Sequence, residues 1–194
     1  MLRLKLPTDP RWVNVAEKNI EEILTDHAYC EQKAASTAIS IMINYPEYQD
    51  IVDAMIELSM EEMAHFKMVF NIIKERGYEL GRERKDEYVN QLRAFIPKGL
   101  DRKKALVYRL LFAALIEARS CERFKVLSEN IKDEELSKFY FDLMKSEAGH
   151  YIMFLEFGRK YGKGIVDVDR IWEEFLAFEA KVISNFGTKE LIHG

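Results

Sequence analysis

The feature that most constrains this chain is a glutamate set in the middle of each of four apolar helix stripes. Apolar residues recurring at steps of three and four mark one face of a helix. One stripe reads Ile20, Leu24, His27, Glu31, Ala34, Ala38, Ile41, Tyr45, and a second reads Met55, Leu58, Glu62, His65, Val69, Ile72. A third reads Leu106, Leu110, Ala113, Glu117, Ser120, Phe124, Leu127, Ile131. The fourth reads Leu136, Tyr140, Leu143, Glu147, His150, Phe154, Phe157. An unpaired carboxylate in a low-dielectric core costs several kcal/mol or shifts its pKa. Four of them, two followed by histidine at i+3, need one shared explanation.

The segments between breakers read as helices, because the 194 residues include only 9 Gly and 4 Pro. Asp9-Pro10 supplies an N-cap with proline at the first helical position. The pattern then runs, with a kink allowed, to Asn44. Pro46 stops it, since proline disfavours helical geometry in the residue before it. A second helix is expected from Glu47 to Arg76, capped by Gly77. Residues 78–100 are less regular, with a short helix over 86–95. Asp101 opens a third long helix to about Glu129, and 130–133 is a tight turn. A fourth runs from Glu134 to Tyr161, where Gly162 and Gly164 end it. A last helix spans 168–185, and the tail after Gly187 is expected to be loose. The chain therefore reads as a single all-α domain, 1–194. It has a short N-terminal lead-in, a four-helix bundle over about 18–161 with extra short helices, and the C-terminal helix.

Composition excludes several classes. The longest apolar run, Leu110 to Ile116, is far short of a membrane span. The N-terminus has no signal-peptide apolar region, and 2 Cys make no disulfide framework. The expectation is a cytoplasmic protein with no membrane partner.

A pair of metal ions accounts for the buried glutamates. Glu at i and His at i+3 share a helix face, so both reach one ion. Two such helices and two further Glu helices give four carboxylates and two imidazoles, the di-iron arrangement of ferritin-like bundles. The heights agree as well. The midpoint of Glu31 and Glu62 falls at Pro46, and that of Glu117 and Glu147 falls in the 130–133 turn. Both pairs then lie ~22 Å from their turn at ~1.5 Å per residue. Glu31, Glu62, His65, Glu117, Glu147 and His150 are the expected ligands of two irons, with manganese the chemical alternative. The absence of thiolates argues against structural zinc.

Rival residues are weaker. Glu190 and His193 make a third Glu-x-x-His, but without an apolar stripe or partner helix. Glu61 points ~100° away from Glu62. Glu122 follows Cys121 as Glu31 follows Cys30, yet its stripe continues into Lys125 and Glu129. It is expected to support the site from outside, pairing with Arg119 or Arg123. His27, one turn before Glu31, is expected to hydrogen-bond a ligand. Cys30, Cys121, Tyr108, Tyr140 and Tyr151 read as core or pocket wall. Ala34, Ala35, Ser36, Ala38, Ala113 and Ala114 flank the ligands and leave room for O2 and a substrate, or serve close helix packing.

The strings Asp26-His-Ala-Tyr-Cys-Glu-Gln-Lys-Ala-Ala-Ser-Thr-Ala38, Met60-Glu-Glu-Met-Ala-His-Phe66, Ile116-Glu-Ala-Arg-Ser-Cys-Glu-Arg-Phe124, Phe139-Tyr140 and Ser146-Glu-Ala-Gly-His150 resemble the MiaE family. These are tRNA 2-methylthio-isopentenyladenosine hydroxylases, and the resemblance runs from about Pro7 to Ile183. It implies a non-haem di-iron centre on the same six ligands. That centre would use O2 to hydroxylate the isopentenyl group of a modified adenosine beside the anticodon. Gly149 departs from the resemblance, where a larger residue, often Arg, is expected. The metal site is untouched by this, but an ion pair or substrate contact there is in doubt.

Residues 74–109 hold eleven Lys and Arg against six Asp and Glu, in a chain of net charge −4. Arg82, Arg84, Lys85, Arg102 and Lys103 are candidate tRNA contacts. Such a hydroxylase also needs an external electron donor, a reductase or ferredoxin-type protein. The competing readings are a ferritin-like ferroxidase, a di-iron hydroxylase of another small apolar substrate, such as a quinone precursor at a membrane, and a metal-free helical module.

Overall fold

The computed structural model describes residues 2–186 and 191–192. The Glu190–His193 motif and most of the expected loose tail therefore lie outside the described residues. Those described are all helical: α1 (Val13–Lys18), α2 (Ile20–Asn44), α3 (Gln49–Glu75), α4 (Glu87–Leu92), α5 (Arg102–Asn130), α6 (Glu134–Gly162) and α7 (Val168–Ile183), with 3-10 turns at Pro10–Trp12 and Arg93–Phe95.

Aspartates start most of these helices. Asp86 accepts from Val89 N, Asp101 from Lys104 N, Asp133 from Leu136 N and Asp167 from Arg170 N, at 2.8 to 3.0 Å. Each such cap stabilises by about 1 kcal/mol. The first expected helix is divided, because Asn19 sits at φ −138°, ψ 47° and separates α1 from α2. The second begins at Gln49 rather than Glu47, since Tyr48 is non-helical at φ −100°, ψ 84°.

Two compact units divide the chain. The first comprises residues 18–85 with 190–192 and is built on the α2–α3 hairpin. Leu24, Ala28, Ala35, Ala38 and Ile41 of α2 and Ile51, Met55, Leu58, Val69 and Ile73 of α3 form its core. Gly77, at φ +73°, turns the chain after α3, in a conformation that costs a side-chain-bearing residue ~1 kcal/mol or more. The following segment returns along α2, where Tyr29 Oη donates to Gly81 O at 3.0 Å and Arg84 pairs with Glu22 at 3.3 Å. Ile192 is buried, and its N–H donates to Asp26 Oδ2 at 2.7 Å.

Among the described residues the second unit comprises 2–17 and 86–186, with α5 at its centre. A fully buried Arg119 ties the surrounding pieces to α5. Its Nε and Nη2 donate to Glu179 Oε1 of α7 at 3.0 and 2.6 Å, and its Nη1 donates to Glu122 Oε2 at 3.0 Å. Nη2 also reaches Leu6 O at 3.0 Å. Tyr88 Oη of α4 donates to the same Glu179 oxygen at 2.9 Å. Burial pushes the Tyr88 phenol well above its ordinary pKa, reinforced by the charge of Glu179. A second buried arginine, Arg123, lies over the Trp12 ring at 4.1 Å. Burial and the charge of Arg119 lower its pKa to about 10. At Gly162 a Cβ would fall 2.2 Å from Val168 Cγ2, so only glycine lets the chain turn from α6 into α7.

Candidate metal centre

Helix phase carries the candidate ligands inward. In the first unit Glu31, Glu62 and His65 are buried, and each offers one donor atom within 4.8 Å of the others. His65 Nδ1 lies 3.3 Å from Glu62 Oε2 and 3.7 Å from Glu31 Oε2. The fully buried His27 places Nε2 2.6 Å from Glu31 Oε1. His27 therefore touches a carboxylate of the donor set, as its position one turn away implies.

Burial disfavours a charged His65, but hydrogen bonds and the charges of Glu31 and Glu62 outweigh it and raise its pKa to about 10. The physical content is a cation deficit. Two carboxylates buried side by side draw a proton onto the nearest imidazole to offset their charge.

In the second unit Glu117, Glu147 and His150 are buried and offer donor atoms within the same 4.8 Å. His150 Nδ1 lies 3.9 Å from Glu147 Oε2, beyond hydrogen-bond distance. Glu147 Oε1 is buried with no hydrogen-bond partner among the described residues, which suits a carboxylate oxygen placed to ligate a cation. Oxygen and imidazole donors of this kind suit iron. The thiol of Cys121 does not compete, because burial and the charge of Glu147 push its pKa to about 12. It donates instead to Met144 O at 3.3 Å.

Glu122 is placed differently from Glu117. Its carboxylate accepts from Thr8 N at 2.8 Å, Thr8 Oγ1 at 2.6 Å and Arg119, so it anchors the N-terminal segment to α5. Of the small residues, Ala35, Ala38, Ala113 and Ala114 are buried, whereas Ser36 is exposed. Gly149 is exposed and a Cβ there would meet nothing within 4 Å. The expected pairing of Glu122 with Arg119 is present, and Glu179 and Tyr88, distant in sequence, extend it into a cluster.

The candidate tRNA contacts fall in both units. Arg82 and Lys85 are exposed, and Arg84 also donates to Glu22 O at 3.2 Å. Arg102 and Lys103 are exposed in the first turn of α5. Cations there face the positive end of the helix dipole, a cost of ~0.3–1 kcal/mol each. No helix of the described residues is long and apolar enough to cross a membrane.

Residues 2–194 match the family described as tRNA-(MS2IO6A)-hydroxylase (MiaE). The tRNA 2-(methylsulfanyl)-N(6)-isopentenyladenosine(37) hydroxylase of Pseudomonas putida is 38% identical over 182 residues, covering 94% of this chain and 87% of the relative. The hydroxylase of the same name from Salmonella typhimurium is 28% identical over 207 residues, covering 78% of this chain and 73% of that one. A solved structure, Protein 43 with aldehyde deformylating oxygenase activity from Synechococcus, superposes with a TM-score of 0.87. It is 31% identical and is matched over 98% of this chain and 95% of its own. The fold is all-α and ferritin-like.

Proposed function

This chain belongs to the MiaE family of tRNA hydroxylases, and from that premise we propose that it uses O2 to hydroxylate the isopentenyl group of a modified adenosine next to the tRNA anticodon. The observation that carries the reading is the pair of matched donor sets, each of two buried glutamates and one histidine. We assign two iron ions to Glu31, Glu62, His65, Glu117, Glu147 and His150. Four carboxylates then offset two divalent cations, and no buried charge is left uncompensated. When bound, the iron pair supplies the oxidising power for C–H cleavage that side-chain acid–base chemistry lacks.

The chain's own residues do the rest. His27 fixes the orientation of Glu31 by hydrogen bonding its Oε1. Cys121 stays a protonated thiol and leaves ligation to oxygen and nitrogen. Arg119 holds α5, and with it Glu117, against α7 and the N-terminal segment. Small side chains beside the ligands leave space for the prenyl group. Arg82, Arg84, Lys85, Arg102 and Lys103 meet tRNA phosphates, each contact contributing about −0.9 or less to the slope of log affinity against log salt. Electrons come from an external reductase or ferredoxin-type protein, in the cytoplasm where tRNA is found.

The experiment is nucleoside mass spectrometry of prenylated tRNA incubated with iron-loaded protein, O2 and a chemical reductant. Gain of one oxygen on the prenyl group is the expected result. Iron oxidation without oxygen transfer to tRNA would overturn the reading in favour of a ferroxidase.

A further inference from the structure

The sequence repeat that places the ligands also aligns the outer faces of the two hairpins. Glu31 corresponds to Glu117, and Glu62 to Glu147. Counted from these, Ile39 matches Lys125, Ile43 matches Glu129, Ile56 matches Phe141 and Met60 matches Lys145. In the second hairpin Lys125, Glu129 and Phe141 line an open groove between α5 and α6 with a volume of about 630 Å³, and Lys145 lies over the Phe141 ring at 4.0 Å. Three of those four positions are charged, while Ile131, Phe141 and Met144 also line the groove. In the first hairpin the same positions, joined by Met63, are all aliphatic and all exposed, Ile43 at 70% and Met60 at 65%. All five lie ~80–160° around their helices from the ligand glutamates, so they form an apolar stripe on the side turned away from the donors.

We propose that this α2–α3 face, made of Ile39, Ile43, Ile56, Met60 and Met63, is where a small iron–sulfur electron-transfer protein docks to feed the metal centre. The inference rests on the hydroxylase reading above. Insertion of one atom of O2 into a C–H bond returns the other atom as water and consumes two electrons and two protons. A reduced iron–sulfur protein gives up one electron per visit and leaves oxidised, so two visits complete a turnover. Short-lived encounters of this kind need a modest apolar contact.

Size and position favour this partner. The five side chains expose on the order of 500 Å², near the upper end of what a monomer leaves uncovered. That matches an electron-transfer encounter, which buries under ~1,200 Å² in total, and falls short of a permanent homodimer at ~2,000 Å² or more. Methionine side chains adapt to a partner's surface without a fixed fit. Met60 and Met63 flank Glu62 in sequence, and only the ~10 Å width of α3 separates their face from Glu62 and His65. Exposed charges flank the stripe on α3, Lys67 at one end and Asp53, Glu57 and Glu61 along it.

The test uses the full chain with Ile43→Lys and Met60→Lys together, both far enough into solvent for the fold to tolerate the change. Binding of a [2Fe–2S] ferredoxin to metal-free protein is measured by calorimetry, and reduction of the iron-loaded protein is followed by stopped flow. Wild type should bind the ferredoxin, and the double variant should lose at least tenfold in affinity and in ferredoxin-driven reduction. Iron content and reduction by dithionite should be unchanged. Equal binding by variant and wild type, or no binding by wild type, would overturn the proposal. So would a wild-type dimer that the substitutions convert to monomer, which would make the stripe a self-interface. Failure of dithionite-reduced wild type to oxygenate prenylated tRNA would instead sink the hydroxylase reading beneath it.

Discussion

The α2–α3 and α5–α6 hairpins carry glutamates at matching distances from their turns, yet differ in what surrounds them. In the first, His27 braces Glu31 at 2.6 Å and His65 lies 3.3 Å from Glu62. In the second, the place four residues before Glu117 is Ala113, and His150 stands 3.9 Å from Glu147. The first hairpin's outer face carries an aliphatic stripe, and the second's mixes lysines and glutamates with Ile131, Phe141 and Met144. The repeat therefore keeps the candidate ligands and little of what surrounds them. The first set has a bracing histidine, His27, where the matching place in the second holds Ala113. The braced set should therefore be the better formed before metal arrives.

The largest expected effects fall on the ligands themselves. Glu62→Ala and Glu147→Ala should each abolish the coupled iron pair, read by metal analysis and electronic absorption. Glu117→Ala should do the same while Glu122→Ala keeps its iron, because Glu122 is bonded to Thr8 and Arg119. Iron loss in Glu122→Ala with retention in Glu117→Ala would reverse the assignment in the second hairpin.

Next comes the anchor peculiar to the second unit. Arg119→Met leaves Glu179 and Glu122 without their main counter-charge and should destabilise by ~3–5 kcal/mol, as breaking a buried pair does. Denaturant unfolding measures it, and a change below 1 kcal/mol would show that the network contributes little.

His27 tests the brace in the first hairpin. His27→Ala should weaken iron binding ~10–100-fold, the usual consequence of losing a ligand's hydrogen-bond partner, with the fold kept. An unchanged affinity would make the two donor sets equivalent.

The same hairpin should show a pH signature when metal-free. The pKa of His65 is raised from 6.5 to about 10, so its contribution is fully present below 6.5 and is lost as pH rises through 10. Melting temperature should fall over that window, and His65→Gln should flatten the fall. Metal binding replaces the proton and should flatten it too.

The smallest effect is expected at Gly149. A glycine within a helix costs about 0.5–1 kcal/mol relative to alanine, and a Cβ there is unopposed. Gly149→Ala should therefore stabilise by that amount in thermal unfolding, with iron content unchanged.

Much of this was legible in the sequence because it is local. Stripe phase put all six candidate ligands at positions that are buried. Asp86, Asp101, Asp133 and Asp167 cap where a short polar side chain precedes an apolar run, and Pro46 ends α2 by sterics. What escaped is long-range or irregular. Nothing near Asn19 in sequence announces the break between α1 and α2. The Arg119 cluster joins Leu6, Thr8, Tyr88 and Glu179, residues up to 113 positions from it, so no window of sequence contains it. Ile192 docks through Asp26, 166 positions away, for the same reason.

The central claim, that each hairpin supplies one iron-binding donor set, is tested most directly by anaerobic Fe(II) titration with Mössbauer detection. Saturation at two irons per chain, with the second lost in both Glu62→Ala and Glu147→Ala, is the expected result. Saturation at a single iron held by one hairpin, untouched by substitution of the other, would contradict it.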